Sequence, residues 1–342
     1  MKKIIYYITD HGKGHATRSV AIIRELKKKN IELIIRNSNS EKFLNQSLPT
    51  IKIISGLTDV GPSIKNDGIS INQDQSKPLL HNWIHKLENF ALDEIEIIKK
   101  FQPNLIISDI SAMPFLAAKK TNVDSIAISN FSWYDVLKFL SSEDLELLKN
   151  SYENANLAFK LPIGTSMSHF KNLKEIGIVS RVPLRCREDI RKELGIKKNE
   201  KLVSIAMSVT LEGKFHFEEN IKILSMNSVI KNCQNVIAMP QEIESQDIVN
   251  ASDFVICKCG YGMISECLTN GIPFYYVSDD NHLEQKAMTQ ELSGYSLAKR
   301  TTLVEIRNLN FNQKFIDNLP VEDKMPRYNE TIIKHIMEYL KN

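Results

Sequence analysis

The segment "TDHGKGHATRS" (residues 9–19) puts two glycines and two histidines into one short connection, just after the apolar run Ile4–Ile8. A strand-to-helix turn needs a glycine, but not His11 and His15 as well. Gly12 and Gly14 permit positive φ and let a ligand approach the main chain. The amides of Ala16 to Ser19 then open a helix, where the dipole favours an anion. His15 and Arg18 add groups that can hydrogen-bond a phosphate or a hydroxyl. Imidazole also moves protons well near neutral pH, so His15 is the first candidate for a general base. Asp109, ending the run "NLIISD", is the second, with helix capping as its competing use; His11 and Asp10 follow. The glycines alone would equally serve a tight turn. Position six of a G-x-G-x-x-G pattern begun at Gly12 is Thr17, and no Gly-Lys-Ser/Thr follows, so neither a dinucleotide nor a Walker A loop is matched.

Two later segments carry a complementary chemistry. In "CKCGYGMISECLTNG" (257–271), Gly260 and Gly262 follow an apolar run and Glu266 lies on the first turns of a helix. A carboxylate there can accept from both hydroxyls of a ribose, or simply balance the helix dipole. "SDDNHLEQ" (278–285) gathers Asp279, Asp280, His282, Glu284 and Gln285. Many acceptors with little positive charge suit sugar hydroxyls better than phosphate; the alternative is a solvated loop capped at Asn281. Cys257 and Cys259 have one residue between them, shorter than a usual zinc spacer, and no second pair follows. They read as small apolar residues leaving a strand, and no metal site is expected.

The elements that must hold these loops repeat twice. Apolar runs at 3–8, 31–36, 51–55, 104–109 and 125–129 are continuous, as in strands buried on both faces of a parallel sheet. Val20, Ile23 and Leu26 mark the intervening helix, and a longer helix over 79–103 stops at Pro103. The polar loop 59–78 suits a binding segment or disorder. Strands recur at 201–207, 235–240, 253–258 and 272–277, with helices at 261–269 and 283–292 and a weaker helix signal at 216–225. The expectation is an α/β protein of two Rossmann-like, doubly wound domains: 1–175, 176–325, and a final amphipathic helix (326–342) packing back on the first.

Composition agrees. The chain has 342 residues, 42% hydrophobic and 25% charged, enough for two cores. With 44 basic and 41 acidic residues the net charge is +3, too small to argue for nucleic acid. Five cysteines without framework spacing suggest reduced thiols. No run is long enough to be a signal core or a membrane span, so a cytoplasmic protein is expected. "FSWYDVLKFL" (131–140) could rest on a membrane surface, and Trp83, Phe131, Trp133 and Tyr134 could line an apolar acceptor groove; core positions are the commoner use of such aromatics.

The paired loops resemble those of GT-B nucleotide-sugar glycosyltransferases, especially the branch containing the bacterial lipid-linked GlcNAc transferase of peptidoglycan synthesis. The matching segments are "GKGHATR", "GYGMISECLTNGIPFYYV" and "LEQKAMTQEL". "GHATR" and "SDISAMPFLAAKKTNVDSIAISNFSW" also resemble the transferase-like domain of plant arabinokinases. The resemblance implies that Glu266 holds the ribose, Glu284 and Gln285 the donor sugar, and Gly260, Tyr261, Gly262 and Met263 the region of the diphosphate. It places His15, Gly12 and Gly14 toward the acceptor. Two departures stand out: "AMSVTLEGKF" (206–215) where a glycine-rich turn is usual, and Met288-Thr289 where Asn-Ala is usual.

The expected activity is transfer of a sugar from a nucleotide sugar, with UDP-sugar the favoured donor, to an unknown acceptor, with inversion and without metal or cofactor. A UDP-GlcNAc 2-epimerase-like enzyme and a non-catalytic sugar-nucleotide-binding regulator are the alternatives.

Overall fold

The structure is a computed structural model that describes residues 1–207, 211, 216–225, 235–240 and 242–341. The first half builds β1 (Lys2–Ile8), β2 (Ile31–Arg36), β3 (Lys52–Ile54), β4 (Leu105–Asp109), β5 (Ser125–Ser129), β6 (Leu157–Lys160) and β7 (Leu173–Glu175). They pair in the order β3-β2-β1-β4-β5-β6-β7, all parallel. The second half builds β8 (Lys201–Ala206), β9 (His216–Phe217), β10 (Ile221–Ser225), β11 (Val236–Ala238), β12 (Phe254–Lys258), β13 (Phe274–Val277), β14 (Ala298–Thr301) and β15 (Asn310–Phe311). Six of these form a second parallel sheet, β11-β10-β8-β12-β13-β14, and β9 pairs with β15.

Burial explains the continuous apolar runs. Ile4 through Ile8 are wholly inaccessible, as are Leu105–Ile107, because helices cover both faces of the sheet. Strand order reverses about β1 and β4 in the first sheet and about β8 and β12 in the second. Ligands of open parallel sheets bind beyond the carboxyl ends of strands at such reversals. The loop after β1 is the His11–His15 segment and the loop after β12 is the Gly260–Gly262 segment, so the topology itself places the two motifs where a ligand would lie.

The halves share a core. One apolar cluster runs from Val20 and Ile23 of the first helix (Lys13–Lys27) through Ile264 and Leu268 to Ile332 and Ile336 of the last helix (Asn329–Tyr339). The last helix packs on the first, as expected. Its start is fastened to the connection between the sheets: Tyr328 N–H donates to Ile178 O (2.8 Å) and Asn329 Nδ2 donates to Ser180 O (2.8 Å). In exchange Ile69, from the loop after β3, joins the second half's cluster with Val277 and Ile306.

Several expectations need correction. The helix over 79–103 is two, Gln73–Ile84 and Leu87–Phe101. The break at His85–Lys86 lets Trp83, Ile84 and Leu87 reach one cluster and stacks Trp83 on Phe90 (4.4 Å). The helix at 216–225 is instead β9 and β10, since Ile221 and Ile223 alternate onto one face while the strand pairs with β8. Strands β6, β7 and β14 were not anticipated. "FSWYDVLKFL" does not offer an apolar surface: Phe131, Trp133, Val136, Leu137 and Leu140 are buried, and so is Trp83, while Tyr134 is half-buried. Most of the 206–215 turn lies outside the described residues. No helix among the described residues is long and apolar enough to cross a membrane.

Candidate active site

The first helix opens at Lys13, three residues earlier than the sequence suggests, so His15 lies in its first turn. Its N-cap is Gly12, at φ 73°, in the left-handed region where glycine is at ease. A Cβ on Gly12 or Gly14 would meet nothing within 4 Å, so the main chain there borders open space.

His15 is nearly buried, edge-on to Phe131 (5.5 Å), and its Nδ1 has no hydrogen-bond partner. That nitrogen lies 4.0 Å from Asp109 Oδ1. Burial, reinforced by Arg18, holds the imidazole well below the ordinary histidine range, so it is neutral at pH 7. Asp109 itself is wholly buried and committed. It accepts from Arg18 Nε (2.8 Å), again from the Arg18 guanidinium, and from Ser19 Oγ (2.6 Å). It neither caps a helix nor stands free as a base, and Arg18, 1% exposed, is spent on it and on Asn130 rather than offered to a phosphate. Asp10 is structural too: its carboxylate receives the amides of Ser38, Asn39 and Thr58. His11 packs edge-on to Trp133 (5.2 Å), and burial, with His282 and Lys258, pulls it down to about 4.

The second half meets this loop directly. Gly262, in the helix Tyr261–Asn270, approaches Gly14 and Thr17 so closely that a Cβ would lie 3.0 Å from Gly14 O. The Tyr261 ring lies under the Arg18 guanidinium (5.3 Å), and its hydroxyl accepts from Val179 N–H (3.2 Å). Gly260 is the N-cap of that helix, and Met263 is half-buried beside the shared core.

The helix Leu283–Leu292 is capped by His282, not Asn281. Burial, with Lys258, lowers His282 to about 4, and its Nδ1 is unpartnered. Glu284 hydrogen-bonds Asn130 across the halves; burial pushes its carboxyl up to about 7 against the pull of Arg18. Gln285 Oε1 accepts from Asp279 N–H (2.9 Å), which shapes the 278–282 turn. Beside this turn a groove of about 510 Å³ is lined by Asp67 and Ser70 of the first half and by Ser278, Asp279, Arg300 and Glu305 of the second.

Glu266 differs. It is 1% exposed; Oε1 accepts from Arg181 Nε (2.8 Å), while Oε2 is buried without a partner. Arg181 also binds Glu244 (3.1 Å), which pairs with Arg24 (2.6 Å). Glu266 thus faces the connection between the sheets, while His15, Gly14, Gly262 and Glu284 come together. Sequence reasoning passed over Lys258. It is exposed at the carboxyl end of β12 and its charge acts on His11, His15 and His282. An exposed lysine closing a buried apolar run was the signal.

Residues 2–167, just under half of the chain, match the family model described as glycosyl transferase family 1. The L-arabinokinase of Arabidopsis thaliana is 23% identical over 310 residues, covering 85% of this chain and 29% of that protein. The chain therefore spans less than a third of that relative's length. Among solved structures, UGT89C1 of Arabidopsis thaliana complexed with UDP-L-rhamnose matches with a TM-score of 0.64 at 8% identity, over 99% of this chain and 98% of that one. SsfS6 of Streptomyces sp. SF2575, complexed with thymidine diphosphate, matches with a TM-score of 0.60 at 13% identity, over 99% and 100%. The fold is that of the GT-B glycosyltransferases. The family match covers the first half, and the likeness of fold extends over both halves.

Proposed function

We propose that the protein transfers a sugar from a UDP-sugar to a hydroxyl-bearing acceptor with inversion at the anomeric carbon. The observation that carries the reading is the meeting of the two strand-end loops, with a neutral His15 whose Nδ1 faces Asp109. That orientation leaves the other ring nitrogen for the acceptor. The acceptor oxygen attacks the anomeric carbon, the bond from that carbon to the diphosphate breaks, and the acceptor proton passes to His15. Asp109, already shared with Arg18 and Ser19, lies 4.0 Å from the ring and offsets the imidazolium charge as it forms. Lys258 and the amides opening the helix Tyr261–Asn270 are suited to the departing UDP.

Glu284 and Gln285 suit the sugar hydroxyls. Glu266 suits a ribose only through Oε2 or once Arg181 shifts. UGT89C1 has been solved with quercetin and with UDP-L-rhamnose, which supports a nucleotide-sugar donor and an acceptor carrying hydroxyls.

The test is incubation with UDP-glucose, UDP-galactose and UDP-GlcNAc, with and without a hydroxylated acceptor panel. UDP release that rises with acceptor, and a product of inverted anomeric configuration by NMR, are expected. An isomerised sugar would indicate an epimerase, and saturable binding without turnover a regulator; either result overturns the proposal.

A further inference from the structure

We propose that His81, His85 and Asp144, residues apart from those assigned above, bind a divalent transition-metal ion that ties the helix Gln73–Ile84 to the helix Ser142–Tyr152. His81, in the last turn, and His85, which caps that helix with helical backbone angles, are four residues apart, which sets both imidazoles on one face. Both point to one oxygen of a carboxylate on the other helix: His81 Nδ1 lies 2.8 Å and His85 Nε2 3.1 Å from Asp144 Oδ1. Ligand atoms of all three residues lie within 4.8 Å of one another. A tetrahedral ion with bonds of about 2.0–2.1 Å holds its ligand atoms roughly 3.3 Å apart, close to this spacing.

The environment fits an ion as well as the geometry does. The Asp144 side chain is 4% exposed, while those of His81 and His85 are 56% and 35% exposed. A nearly buried anion is thus reached through two imidazoles at the rim, and water can complete the coordination. Apolar packing does not account for His81, more than half of which is in solvent. The ring nitrogens that face Asp144 present lone pairs to a cation once their protons move to the other ring nitrogen or leave. Two imidazoles and one carboxylate select zinc, nickel, copper or cobalt over magnesium or calcium. The ion would stiffen the helix that directly follows the 56–72 loop, the loop whose Asp59 holds Thr9 (2.7 Å) and Trp133 (2.9 Å).

The experiment is calorimetric titration of the untagged full chain with Ni²⁺ and with Zn²⁺, in a Cys186→Ser background because that thiol is exposed. One ion per chain and a raised unfolding temperature are expected, with no binding of Mg²⁺ at the same concentration. H81A and H85A should each weaken binding by about tenfold or more, and D144N should weaken it too. His335→Ala should change nothing. Each single imidazole variant leaves Asp144 the other histidine, so the metal-free unfolding temperature should fall only slightly. Absence of saturable binding, or equal affinity in the H81A/H85A double variant, overturns the proposal.

Discussion

Gly262 stands so near Thr17 that a Cβ built on it would lie 2.2 Å from Thr17 Oγ1. The absence of a side chain at this one position lets the two halves touch where the two ligand loops meet. Gly262→Ala should therefore force the helices apart, costing about 1–3 kcal/mol as an overpacked contact does, and should weaken nucleotide binding. Thr17→Ala removes the nearest obstructing atom. The double variant should recover part of the loss, so urea denaturation of the four-member cycle should give coupling opposite in sign to the Gly262→Ala cost.

His15→Ala should lower turnover by about 10²–10⁴-fold, the usual range for a general base, while UDP affinity by calorimetry changes little. Turnover that persists would remove His15 from the mechanism.

The pH profile has a sign. Burial holds His15 well below the ordinary value of 6.5, so the base stays unprotonated as pH falls through that value. The acid limb of kcat/KM should therefore appear below pH 6.5. A limb at or above 6.5 would show that the ring is not in the environment described.

Glu284 has a folded value of about 7 against an ordinary 4.5, so the folded protein binds more protons than the unfolded chain between those limits. Stability is therefore lost as pH rises from 4.5 to about 7, and the full cost of the buried carboxyl is present above that window. Glu284→Gln should stabilise the protein at pH 8, and the gain should shrink as pH falls from 7 toward 4.5. Denaturant midpoints at pH 8 and pH 5 would check this.

Arg181 is 1% exposed and joins Glu266 and Glu244. Arg181→Met strands a buried carboxylate and should cost about 3–5 kcal/mol. Adding Glu266→Gln should return part of it, since the charge left without a partner is then gone. Additive losses in thermal unfolding would contradict this.

The central strands were legible because burial on both faces leaves continuous runs such as "IIYYI" and "LIISD". Of the four edge strands, β3 and β11 were legible as well, but β7 and β14 were not. "LKE" in β7 and "AKRT" in β14 pair on one side only and carry solvent-facing charge, so composition does not mark them. The 216–225 segment misled because "IKILS" fits either period when read alone. In the site, His15, Gly262 and Glu284 could be picked out because each sits beside a glycine pair or an acidic cluster. The roles of Arg18 and Arg181 could not be. Their partners, Asp109 and Glu266, lie 91 and 85 residues away, and only folding shows that these cations are already engaged.

Ile69 belongs by chain to the first half and by packing to the second, where it is 7% exposed. Any motion that parts the halves must wet this side chain, at about 1.5–3 kcal/mol. That penalty adds to the cost of baring the shared core around Ile264 and Leu268, so molecules standing ajar are a minority. Admission of a bulky reactant would then draw on a minority population, and mild chilling, which weakens the grip of oily contacts, would enlarge it.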